Sequence, residues 1–159
     1  RVTPPNDALA QVTETAREGT GAGWIARMAS GVDGGTTTCV LVTTGPRVAQ
    51  FTLRFFAEQT GGPMLRPLAF PQGGTPTTAS SLTQALAAGA TRVIVSTGTG
   101  SLLTGSAQLT ATGNVSGFVI FRHNNQEAVV PLESRNASGY IIAFDNTNGT
   151  ATGIAVNAV

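Results

Sequence analysis

The sequence predicts an all-β protein, an antiparallel β-sandwich preceded by an N-terminal arm, and three observations carry that prediction. In the last third, Gly117 to Arg122, Glu127 to Glu133 and Tyr140 to Asp145 are short apolar runs punctuated by Asn/Gly turns, with Thr150 to Val159 as a fourth run. Ala49, Phe51, Leu53 and Phe55 alternate with Gln50, Thr52 and Arg54, the period-two pattern of a half-buried strand. Turn signals recur roughly every 8 to 14 residues, giving about ten short strands, the rhythm of sandwiches and barrels.

In chain order, residues 1–23 form the arm. Pro4 and Pro5 precede Ala8 to Glu18, and Gly19, Gly21 and Gly23 close it as a linker. Two periods fit: Leu9, Val12 and Ala16 share one face of a short helix, whereas Ala8, Ala10, Val12 and Ala16 share one side of a strand interrupted by Glu14. Neither buries much apolar area alone, so the arm must dock on its own domain or on a neighbour. The sandwich domain then spans residues 24–159. Trp24 to Ala29 and Thr36 to Thr43 flank the turn Val32-Asp33-Gly34-Gly35. Ala49 to Phe56 follows, then Met64 to Phe70, and Pro71 to Pro76 is the longest loop signal. Thr77 to Leu86 reads as one strand, because Gly89 and the run Val93-Ile94-Val95 outweigh a helical turn at Leu82 to Ala87. Ala90 to Thr97 and Leu102 to Thr112 complete the series.

Composition excludes several function classes. Charged residues make up 11% of the chain and the net charge is +1, with nine basic residues, all Arg, scattered from Arg1 to Arg135. No phosphate-neutralising stripe exists, so nucleic acid is not an expected partner. Without Lys there is no Schiff base and no phosphate-loop lysine. No apolar run approaches the ~18 residues of a membrane helix, so no membrane insertion is expected. Cys39 is the sole cysteine, which rules out an internal disulfide, and its place in Thr38 to Val42 marks it as a small buried hydrophobe.

Catalytic, cofactor and metal sites are likewise not expected. His123 is the sole histidine, which leaves no multi-histidine zinc site and makes any Ser-His-Asp triad depend on this one residue, whose place in the turn Arg122 to Gln126 reads as a solvated hairpin histidine. Gly113 to Gly117 has its serine misplaced for a nucleophile elbow. Glu127 and Glu133 share a face but stand roughly 20 Å apart along an extended strand, too far for paired acid/base work. Asp145 to Gly149 lacks the acidic count of a calcium loop; Asn148-Gly149 suits a hairpin and Asp145 can close it by accepting from backbone amides. Asn114, Asn136 and Asn148 each open an N-glycosylation triplet at a turn or strand end.

The order Trp24, Thr37-Thr38, Val42 to Gly45, Ala49 to Phe56, Leu86 to Ala90, Gly117 to Arg122, Glu127 to Glu133 and Ala143 to Thr147 resembles a poorly characterised immunoglobulin-like β-sandwich module of secreted and cell-surface bacterial proteins. The likeness covers about Trp24 to Val159 and leaves out the arm. It implies an immunoglobulin-like fold and an extracellular or cell-surface setting, and it brings no catalytic residues. Two expectations follow. One is a structural module that polymerises with copies of itself into a filament, the arm adding through Ala8, Ala10, Val12 and Ala16 to a neighbouring sheet. The other is an accessory adhesion module for carbohydrate or a host or cell-surface protein.

Overall fold

The computed structural model describes residues 20–31, 35–98, 100–124, 126–132, 141, 143 and 145–148. Two antiparallel sheets pack face to face. The strands are β1 (Thr20–Ser30), β2 (Thr36–Thr43), β3 (Ala49–Ala57), β4 (Arg66–Ala69), β5 (Thr77–Ala79), β6 (Ser81–Leu86), β7 (Thr91–Ser96), β8 (Leu103–Thr112), β9 (Val115–His123) and β10 (Gln126–Pro131). The smaller sheet runs β1-β8-β3-β6 and the larger β10-β9-β2-β7-β4-β5. No helix occurs among the described residues, so the expected all-β sandwich is what the chain builds.

The core follows from alternation and from pairing large with small. Phe51, Leu53 and Phe55 on β3 are buried, and their partners on β8 are Ala111, Leu109 and Ala107. The alanines leave room for both rings beside a central strand, which is why the loosely alternating Leu102 to Thr112 still forms one. From the larger sheet Cys39, Leu41, Ile94, Leu68 and Val119 close the layer. Each fully buried Leu, Ile or Phe contributes roughly 1.5–3 kcal/mol through area withdrawn from water.

Three boundaries differ from expectation. β1 begins at Thr20, so the Gly-rich residues 20–23 are not loop but are paired with Thr112 to Leu109 of β8. Glycine weakens a strand, yet here β8 supplies a ready edge. Thr77 to Leu86 is two strands: β5 pairs with β4 in the larger sheet and β6 with β3 in the smaller, the chain changing layer at Ser80. In the Tyr140 to Asp145 run, the described residues Ile141, Ala143 and Asp145 lie outside any strand and are exposed. Apolar alternation makes a strand only where an edge pairs with it, and among the described residues none does. The turn at 32–34 and the run 150–159 lie outside the described residues; Gly31 and Gly35, which bracket the turn, form a bridge.

Candidate interaction surface

Among the described residues the larger sheet has two strands more than the smaller, and the surplus is visible at β10. β1, the edge of the smaller sheet, lies against β2 and β9, so β10 stands one strand beyond its cover. Cross-strand register gives the faces: Val130 is opposite Val119 and Ala128 opposite Phe121, on the core side, while Val129 is opposite Ile120 on the outer side. Val119 is 1% exposed, whereas Val130 on the same face is 46% exposed and Val129 is 57% exposed. All six residues of β10 are exposed. Only after it does the chain return to the core, where Leu132 is buried and donates its N–H to the Gly117 carbonyl at 3.1 Å. A side chain at 117 would stand 3.1 Å from Leu132 Cδ1 and closer still to the Val40 carbonyl, so glycine is required there.

The outer face of the same sheet is also apolar. Register places Val129, Ile120, Thr38 and Val95 in one row and Pro131, Phe118, Val40 and Val93 in the next. Apart from the buried Thr38, these side chains are partly or fully exposed. Contiguous exposed apolar surface marks a contact face more often than chance exposure. Arg122 Nε and Glu127 Oε2, 2.6 Å apart, frame it at one end.

Elsewhere, two stretches of strand backbone are capped by side chains. Thr37 Oγ1 accepts from the Ala29 N–H at 3.2 Å and donates to the Ala29 carbonyl at 2.7 Å, standing in for a neighbouring strand beside β1. Gln72 does the same for β7, its Oε1 accepting from the Val93 N–H at 2.8 Å and its Nε2 donating to the Thr91 carbonyl at 3.1 Å. Beside it, Arg92 lies over the Phe70 ring at 4.8 Å and donates to Gln84 Oε1 at 2.9 Å and to the Gly73 carbonyl at 3.2 Å. Gln72, Gln84, Thr91 and Arg92 line a shallow open cleft of about 460 Å³, where the Gln72 amide, the Gln84 carbonyl oxygen and the Arg92 guanidinium are engaged by the fold. Such plugs are how a sandwich keeps its edges from recruiting strands.

Sequence-expected sites fall as follows. Ala8, Ala10, Val12 and Ala16, and Asn136, lie outside the described residues. Asn114 is half-buried between β8 and β9, its carbonyl accepting from the Thr44 N–H at 3.1 Å, and Asn148 is exposed at φ +51°. Asn114 and Asn148 share no contact among the described residues. Asp145 Oδ1 accepts from the Thr147 hydroxyl at 2.6 Å and the Thr147 N–H at 2.9 Å, the turn closure expected, and these bonds hold its carboxyl below the usual range. His123 is exposed at the β9–β10 turn, and no group of three His, Cys, Asp or Glu suited to a metal occurs among the described residues.

Sequence reasoning missed Arg66. It is fully buried, although an arginine at a strand start ordinarily faces water, and the only warning was its flanking by Leu65 and Pro67 in an apolar run. Its neighbour is Cys39, buried as expected. Burial pushes the Cys39 thiol up from 9.0 to about 12, with the Arg66 cation acting the other way. The unfolded chain therefore loses this proton near pH 9 while the folded chain keeps it. Stability should fall as pH rises past 9, by at most about 1.4 kcal/mol per pH unit. Burial likewise lowers Arg66 from 12.5 to about 10, with the charge of Cys39 acting the other way. Urea titrations of wild type and Cys39→Ala between about pH 8 and pH 10 check this: the slope should be present in the first and missing in the second.

No family model, curated protein or solved structure matches this chain.

Proposed function

We propose that this chain is a non-catalytic, immunoglobulin-type structural module of an extracellular or cell-surface assembly, and that copies join into a filament when the arm of one adds as a strand to the sheet of the next. The observation that carries the reading is the surplus strand: β10 presents Val129 and Val130 to solvent at 57% and 46% exposure, while the edges at Ala29 and at Thr91 to Val93 are plugged by side chains. Strand addition to an open edge supplies main-chain hydrogen bonds for affinity and alternate side chains for register. A head-to-tail contact of this kind does not close on itself and propagates. The low charge of the chain, 11%, lets its surfaces approach closely. The absence of a catalytic role rests on the single histidine and the lack of a nucleophile elbow in the sequence.

The alternative, an accessory adhesion module for carbohydrate or a protein partner, would use the cleft at Gln72, Gln84 and Arg92, whose amide oxygens are already spent on the fold. Electron microscopy and sedimentation of the purified protein separate the two readings. Filaments that disappear on removal of residues 1–19, with the far-ultraviolet signature of the sheets unchanged, are expected. A monodisperse monomer at high concentration that binds one sugar class on a glycan array would favour adhesion instead.

A further inference from the structure

We propose that the cleft where β6 of the smaller sheet passes β7 of the larger is a binding site for an acidic saccharide, with Arg92 taking the sugar's carboxylate. This site stands apart from the filament contact, since β9 and β2 separate β7 from β10 in the larger sheet.

The fold itself decides which hydrogen-bonding groups the cleft keeps. Gln84 must turn its Oε1 toward Arg92, because the arginine Nε–H can only donate, and this leaves the Gln84 Nε2 amide without a partner among the described residues. Gln72 likewise spends its Oε1 on the Val93 N–H, and its Nε2 gives one of two hydrogens to the Thr91 carbonyl. Arg92 spends Nε on Gln84 and an Nη1 hydrogen on the Gly73 carbonyl, which leaves Nη2 without a hydrogen-bond partner among the described residues. Both amide oxygens are therefore consumed. Apart from the exposed Thr91 hydroxyl, the lining side chains offer only N–H donors.

Arg92 also lacks a counter-charge. Among the described residues the ion pair is Arg122 with Glu127, and no residue lining the cleft is acidic. The guanidinium is nonetheless held in one pose. The centroid of the Phe70 ring lies 4.8 Å from it, and Gly74, at φ +126°, lets the loop close beside the same ring, where a Cβ would stand 3.3 Å from Phe70 Cδ2 and 3.4 Å from Arg92 Nη2. A cation fixed on its face, at Nε and at Nη1 loses little further side-chain freedom when a ligand arrives.

These features select the ligand. One guanidinium in a chain without lysine matches a single negative charge, and its planar fork matches a carboxylate, whereas a phosphate dianion would be only half neutralised. Donor-rich surroundings suit a partner that accepts at every position, as sugar hydroxyls and ring oxygens do. A peptide would bring an N–H at each residue and find the Thr91 hydroxyl as the sole accepting side-chain group in the lining. A neutral sugar would need an aromatic face to stack on, and Phe70 is buried beneath Arg92. The volume of about 460 Å³ falls in the range of small-ligand sites and holds a short saccharide.

Calorimetric titration of the full chain tests this with glucuronate, an oligomer of galacturonate, glucose, inorganic phosphate and an acidic peptide. The uronates should bind, glucose and phosphate at least about tenfold more weakly, and added salt should weaken the uronates. Arg92→Gln should lower uronate affinity about tenfold or more through loss of the charged fork. Gln84→Glu keeps an acceptor for Arg92 Nε but neutralises the cation, so it should abolish binding while leaving the thermal midpoint unchanged or higher. An oligomer bound much more tightly than the monomer identifies a polymer as the source; equal affinities identify a free sugar acid. Uronate affinity unchanged in both variants, glucose bound as well as glucuronate, or no saccharide bound at all would overturn the site. Binding of the acidic peptide without the uronates would assign the cleft to a protein and overturn the saccharide.

Discussion

Replacing Arg66 with alanine should lower the unfolding free energy by about 3–5 kcal/mol, one of the two largest single-residue effects expected in this protein. Two terms oppose each other here. A guanidinium at 0% exposure with no carboxylate beside it among the described residues costs several kcal/mol to bury, and alanine removes that cost. Against it stand four hydrogen bonds: Nη1 donates to Ser30 Oγ at 3.0 Å and Ser96 Oγ at 3.3 Å, Nη2 to the Met28 carbonyl at 3.0 Å and the Leu103 carbonyl at 3.2 Å. Through them β4 holds the ends of β1, β7 and β8. Alanine leaves those carbonyls unmet, at about 1–3 kcal/mol each, and empties the volume of the largest fully buried side chain. Orphaned acceptors plus a void outweigh the relief. Arg66→Met, which fills the space and sheds the charge, should lose only about 1–2 kcal/mol. Denaturant titration of the pair decides the matter: a methionine variant more stable than wild type would mean that the burial cost dominates and that the arginine is not a net tie. Nε lacks a partner among the described residues, which already marks the site as imperfectly satisfied.

Gly105→Ala should cost a comparable amount, about 3 kcal/mol or more. β8 is flanked by β1 and β3, and at this point it passes so close to β3 that an added Cβ would fall far inside contact distance of the Phe56 carbonyl oxygen and 2.6 Å from Met64 Cε. The methionine can swing away, but the carbonyl is fixed in the β3–β8 ladder and moves only if pairing is lost. Gly61→Ala supplies the control. Nothing lies within 4 Å of its Cβ position, so its φ of +64° alone should set a cost near 1 kcal/mol. Thermal melts of the two variants should therefore differ clearly; equal midpoints would mean that β8 shifts to accept the methyl group.

Much of this architecture was legible in the residues. Thr36 to Thr43 appears as β2 with the bounds expected, Ala49 to Phe56 as β3 one residue longer, and Cys39 is buried as its apolar neighbours implied. In each case a side chain's neighbours in sequence determine its environment. Where they do not, the reading failed. Period-two alternation shows which side of a strand is apolar but not which sheet receives it, so Thr77 to Leu86 looked continuous. Val129 and Val130 had the composition of a core strand, yet burial depends on how many strands the opposite layer contains, which is a property of the whole topology. Thr20 to Gly23 were read as linker from their glycines, and only the Thr112 end of β8 makes them strand. Arg66 was taken for one more scattered arginine because no local pattern records that carbonyls from Met28 and Leu103 converge on it. The exposure of β10 was the least legible feature for the same reason: among the described residues it is set by how far the opposite layer extends.

The change of layer at Ser80 has a mechanical consequence. β5 ends at Ala79 in one sheet, β6 begins at Ser81 in the other, and the residue between them accepts from the Phe55 N–H at 2.9 Å. A force dragging one layer along the other would pull on peptide bonds within a span of one residue before it could slide the packed side chains. The sandwich should accordingly resist shear along its strands better than hydrophobic adhesion alone would allow, a useful trait in a body loaded from its two ends.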